Sequence, residues 1–211
     1  MKKIKTTACL ALALGVAVTT TPVPAFAEET SKAASTTNVE IIAGDDGNEI
    51  IDPIEPPTNQ KGPLVIDAVS SFDFGQIKLG TLTKEAVVPE GKKLGVQVTD
   101  KRGTGAGWDL SASITEFQNA DKTKTLKASV KIPAGKVNTS ASDNSKAAVA
   151  KELTLNNTAS TIFSATKDNG MGSWSDLFEE NGEKVVLTVP SDAYVSAYTA
   201  TINWSLQDAP K

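Results

Sequence analysis

Residues 64–211 are predicted to form an all-β domain, an antiparallel β-sandwich of two packed sheets with Greek-key-like connections. Three observations carry the prediction. In "YTATINWSLQD", Tyr198, Ala200, Ile202, Trp204 and Leu206 alternate with Thr199, Thr201, Asn203, Ser205 and Gln207. Trp108, Leu110, Ala112 and Ile114 alternate in the same way with Asp109, Ser111, Ser113 and Thr115. Successive strand residues point to opposite faces, so each stretch has one apolar and one polar side. Further apolar runs are bounded by Gly and Pro, as strands are.

The elements follow in order. "MKKIKTTACLALALGVAVTTTPVPAFA" places Lys2, Lys3 and Lys5 before an apolar run and ends on the small-x-small site Ala25-Phe26-Ala27. That pattern predicts a signal peptide over residues 1–27, cleaved after Ala27, with an apolar run short of the roughly 20 residues that span a bilayer. Cys9, the only cysteine, leaves with it, so the exported chain holds its fold without disulfides. Residues 28–63 combine Ser, Thr, Ala and acids with Pro53, Pro56, Pro57 and Pro63 and contain no aromatic residue. A segment so poor in apolar surface is expected to be a flexible acidic spacer. Ile41-Ile42 and Ile50-Ile51 interrupt it as short elements able to dock elsewhere. Strands are then expected in "LVIDAVSSFDFG", "LGVQVTD", "GWDLSASIT", "LKASVKIP", "KVVLTVP" and the final stretch. Residues 138–150 read as a loop with room for a helical turn, and residues 166–184 as a long polar excursion of unassigned structure carrying Trp174, a possible loop contact.

Charge and composition exclude several functions. The chain has 21 basic and 25 acidic residues; removing three lysines with residues 1–27 leaves a net charge of −7. Residues 28–63 hold eight acids against Lys32 and Lys61, so the remaining 148 residues are nearly neutral at −1. With one arginine, Arg102, and no basic patch, nucleic acid is not an expected partner. There is no histidine, and no cysteine after residue 27, which removes the common nucleophile–base pairs and zinc ligands. "DDGNEIID" lacks the spacing of a calcium loop, and "TDKRGTGAGW" lacks the Gly-Lys-Ser/Thr of a phosphate loop, so its glycines are expected to supply positive φ in a turn. No catalytic residue, metal site or cofactor is expected.

The pattern Trp-x-Leu occurs twice, at Trp108-Asp109-Leu110 and at Trp204-Ser205-Leu206. On a strand each Trp shares a face with its Leu, but alternation does not say whether core or solvent covers that face. The two strands are expected to lie close together with the four side chains in one apolar site, Trp108 the more buried and Trp204 the greater contributor to binding.

The paired motif, with "FDFG", "VTDKRGTGAGWDLSA" and "LTVPSDAYVSAYTATINWSLQDAP", resembles the WxL-domain proteins of low-GC Gram-positive bacteria, in particular the small ones. The resemblance implies a non-catalytic protein bound non-covalently to the cell surface, with peptidoglycan as ligand class and a membrane-anchored companion protein as partner. It makes Trp108, Asp109, Leu110, Trp204, Ser205 and Leu206 the motif's binding candidates. The C-terminal "SLQDAPK" carries neither an anchor nor a sorting signal, in keeping with non-covalent attachment and no membrane span. A structural or adhesive subunit that assembles by strand pairing is the alternative.

Overall fold

The computed structural model describes residues 35–44, 48–142 and 144–209. The expected signal peptide and residues 28–34 lie outside the described residues. The chain divides into two units, Met1–Glu40 and Ile41–Lys211. Residues 35–40, the described part of the first, have no regular structure. All described strands belong to the second: β1 (Leu64–Val69), β2 (Thr83–Glu85), β3 (Gly95–Asp100), β4 (Trp108–Ile114), β5 (Phe117–Gln118), β6 (Thr125–Leu126), β7 (Ser129–Ile132), β8 (Lys136–Thr139), β9 (Val149–Ala150), β10 (Leu153–Thr154), β11 (Ser160–Ala165), β12 (Gly172–Leu177), β13 (Val186–Thr188) and β14 (Ile202–Asp208).

They form three four-stranded sheets, ordered β1-β3-β12-β8, β10-β7-β13-β2 and β14-β4-β11-β9, and a two-stranded ribbon β5-β6. Every strand pairing is antiparallel, and most neighbours are distant in sequence, as Greek-key-like connectivity requires. Two sheets are expected from the sequence and three are found. β7 and β13 occur where "LKASVKIP" and "KVVLTVP" predict them, but they pair with β2 and β10, of three and two residues. Strands that short carry too little alternation to be seen.

One apolar cluster joins the inner faces of the three sheets. It includes Val96 and Val98 of β3, Trp108 and Leu110 of β4, Ile132 of β7, Phe163 of β11, Trp174 of β12 and Leu187 of β13. Full burial of side chains of this size stabilises the fold by about 1.5–3 kcal/mol each.

The sheet β1-β3-β12-β8 is covered on its outer face as well, and this corrects the expected spacer boundary. Residues 48–58 pack there rather than extending as a free linker. Ile54 is 1 % exposed and meets Ala68 and Leu177. Ile51 N donates to Gln97 Oε1 at 2.8 Å, and Gln97 Nε2 donates to Glu49 O and Asp67 Oδ2, both at 2.9 Å. Asp67 also accepts from Thr99 and Asn48. The physical reason is a small-residue socket: a Cβ on Gly95 would lie 3.1 Å from Ile54 Cδ1 and 2.5 Å from Asp176 O. Proline and acids mark a segment without ladder hydrogen bonds, yet they do not prevent one isoleucine from filling such a socket.

The excursion 166–184 contains β12, a central strand between β3 and β8. Trp174 is therefore not on a loop. It is 2 % exposed, belongs to the core, and its Nε1 donates to Met171 O at 2.8 Å.

Candidate functional site

The two Trp-x-Leu strands are neighbours. β14 pairs with β4 over seven residues, with Leu206 opposite Leu110, Ser205 opposite Ser111 and Trp204 opposite Ala112. Because the strands run antiparallel with leucine facing leucine, the tryptophans fall at opposite ends of the row, about 13 Å apart along the strands. All four side chains lie on the inner face, and their surroundings differ.

Trp108 has no exposed surface. Its ring packs edge-on to Phe163 with centroids 5.0 Å apart, and its Nε1 donates to Gly170 O at 2.9 Å. Gly170 has φ +71°, and a Cβ there would collide with Ala165 Cβ and lie 2.7 Å from Trp108 Nε1; the loop after β11 needs glycine to close over the indole. Gly103, Gly105 and Gly107 all have positive φ, the turn conformation expected before β4. Leu110 is likewise fully buried. Neither Trp108 nor Leu110 presents surface to a ligand; both hold the strand in the core.

Trp204 and Leu206 are half-buried, because β14 is the last strand of its sheet. Trp204 stacks on Phe178 with centroids 6.5 Å apart and 6° between planes, and Phe178 meets Phe72 edge-on at 6.1 Å. Arg102 clamps the end of β14: it pairs with Asp208, while its Nη2 donates to Asp100 Oδ2 at 2.8 Å and Gly107 O at 2.7 Å.

The motif's middle residues face outward. Ser205 is exposed and Asp109 half-buried, with Asp109 accepting from Thr161 Oγ1 at 2.8 Å. Around them the outer face of β14-β4-β11 carries Asn203, Gln207, Ser111, Ser113, Thr161 and Ser164. This surface is rich in hydroxyl and amide groups, and Asp109 is its one charge within those strands before Asp208.

A family model described as "WxL domain surface cell wall-binding" matches residues 28–210. The chain belongs to the WxL domain family. No curated protein and no solved structure matches it. The family is one of cell-wall-binding domains at the cell surface, and the Trp-x-Leu ladder supplies its inner seam here.

Two further features of this WxL domain were not read from the sequence. A cleft of about 440 Å³ is lined by Ile51, Asp52, Asn138, Thr139, Asn144 and Trp174 among others; there Asp52 accepts from Ser175 Oγ at 2.5 Å and lies 3.9 Å from Lys93 Nζ. The second is Asp176. It is 0 % exposed and shares the inner face of β12 with Trp174, opposite Val96 of β3 and Val137 of β8. Neither carboxyl oxygen has a hydrogen-bond partner. Burial pushes this carboxyl up from 3.8 to about 7; the nearby Gly135 backbone N–H pulls weakly the other way without closing a hydrogen bond. Among the described residues no helix is long and apolar enough to cross a membrane, and no three His, Cys, Asp or Glu side chains are grouped as metal ligands are.

Proposed function

We propose that this WxL protein is a non-catalytic binding module, exported by its signal peptide, that attaches non-covalently to peptidoglycan of a Gram-positive wall. We place the contact on the outer face of β14-β4-β11. The observation that supports it is the array of hydroxyl and amide groups from Asn203, Ser205, Gln207, Ser111, Ser113, Thr161 and Ser164, donors and acceptors that match sugar hydroxyls and acetamido groups. The near-neutral charge of residues 64–211 limits repulsion from an anionic wall. In this reading Asp109 and Ser205 are the motif residues that meet ligand, while Trp108, Leu110, Trp204 and Leu206 set the strands that carry them. A membrane-anchored companion protein is the second partner.

Sedimentation of residues 28–211 with protein-stripped peptidoglycan tests the reading. Binding is expected, and Asn203→Ala with Ser205→Ala is expected to weaken it about tenfold with an unchanged melting curve, since both side chains are exposed. Sedimentation only with walls that retain their proteins would transfer the role to the companion. No sedimentation with either would sink the proposal.

A further inference from the structure

The N-terminal segment has two apolar pairs, and only one is housed in its own domain. Ile50 packs beside Ile54 on the outer face of the first sheet, whereas Val39, Ile41 and Ile42 are 86 %, 90 % and 80 % exposed. Residues 36–42, "TTNVEII", have no regular structure and no hydrogen-bond partner among the described residues. Five of the seven are β-branched, a composition that suits a strand. In an extended chain Val39 and Ile41 share one face and Glu40 takes the other.

β14 has the matching vacancy. It is seven residues long and pairs only with β4 among the described residues, so its other edge presents a row of unpaired N–H and C=O groups. Natural edges are commonly guarded by lysine, proline or a bulge. β14 has none of these; its register with β4 is continuous, and its single charge, Asp208, is paired with Arg102. Its inward residues Ile202, Trp204 and Leu206 are half-buried, while Leu110, Ala112 and Ile114 opposite them on β4 are buried. Among the described residues the apolar seam between the sheets is thus one strand short at this edge.

We propose that residues 36–42 of one copy of the chain add as an edge strand to β14 of a second copy. Val39 and Ile41 extend the row of Ile202, Trp204 and Leu206, and Glu40 lies on the outer face beside Asn203 and Ser205. A second copy fits better than the chain's own segment for a geometric reason. Gly44 N donates to Lys101 O at 3.2 Å, next to the Arg102–Asp208 pair at the C-terminal end of β14. A segment tethered there meets its own β14 in the parallel sense, whereas one from another copy is free to pair antiparallel, the more stable ladder. Reciprocal exchange closes a two-fold dimer, and one-way addition gives a chain of copies. The pairing uses the edge of the sheet and not its outer face, so it does not rest on peptidoglycan binding.

Residues 28–211 contain no cysteine, so disulfide trapping is unambiguous. Two differently tagged forms, one Glu40→Cys and one Ser205→Cys, are mixed and mildly oxidised; a mixed-tag disulfide dimer is expected, well above the yield with Lys136→Cys on β8 as the second partner. Sedimentation should show mass rising with concentration. Ile41→Asp should weaken that association about thirtyfold or more while leaving melting unchanged. A single-chain mass at every concentration, or trapping no greater than with Lys136→Cys, overturns the proposal. So does a Glu40→Cys/Ser205→Cys double variant that closes its disulfide only within one chain. Peptidoglycan sedimentation of Ile41→Asp separates the two ideas: retained wall binding with lost pairing leaves the wall contact standing.

Discussion

Replacing Asp176 by asparagine should make the domain more stable at neutral pH and less sensitive to pH. An acid whose folded pKa lies above its unfolded value binds a proton more tightly when folded, so folding favours the neutral form. Stability from this group is fully present below about pH 4 and is lost as pH rises through about 7. The gap between 3.8 and about 7 corresponds to about 4 kcal/mol, at about 1.4 kcal/mol per tenfold change in proton concentration. Against the roughly 5–15 kcal/mol that stabilises a domain this is a large share. Asparagine has nearly the shape of the protonated acid and cannot ionise. The Asp176→Asn protein should therefore fall about 1–3 kcal/mol below the wild type at pH 4, the cost of an imperfectly bonded buried amide, and exceed it by about 1–3 kcal/mol at pH 8. Urea unfolding followed by tryptophan fluorescence at intervals from pH 4 to 8 measures this, and the difference between the two proteins cancels the other carboxylates to the extent that they act independently. A difference that stays flat across that range, or an asparagine variant less stable at pH 8, would refute the reasoning.

Ile54→Ala should cost about 2–5 kcal/mol, because Ile54 is buried against Ala68 and Leu177; melting curves should fall equally for a chain starting at residue 64 but not for one starting at residue 48. Gly170→Ala should lower stability by more than about 1 kcal/mol, since it combines a positive φ with a clash at Ala165 and Trp108. Near-ultraviolet circular dichroism should report the altered Trp108 environment, and an unchanged spectrum with unchanged melting would count against the loop's role.

Legibility followed exposure. β4 and β14 were readable because one face of each is apolar and the other polar: β4 alternates buried and half-buried residues along its whole length. β3 is buried on both faces, so the inward set Val96 and Val98 could be picked out while the burial of Gln97 and Thr99 could not. A polar residue under a docked segment looks the same in sequence as one in water. Asp176 was invisible for the opposite reason, since an acid in a stretch of Ser, Asp and Glu suggests a solvated loop, and its inward orientation follows only from β12 lying between β3 and β8. The socket for Ile54 could not be foreseen either, because it depends on Gly95 and Ala68 coming together on adjacent strands.

The paired motif shows the same limit most sharply. Period two places each tryptophan beside its leucine, and nothing in "WDL" or "WSL" distinguishes the two. Strand pairing does. β4 has β11 on its other side, so Trp108 is sealed by Phe163 and by the loop at Gly170, whose carbonyl satisfies its indole N–H. β14 has no such neighbour among the described residues, so Trp204 keeps one side open at the rim of the core and stacks on Phe178. Two copies of one local pattern thus acquire different roles from topology. The internal copy anchors the sheet, and the edge copy leaves a partly covered apolar row where another strand can add.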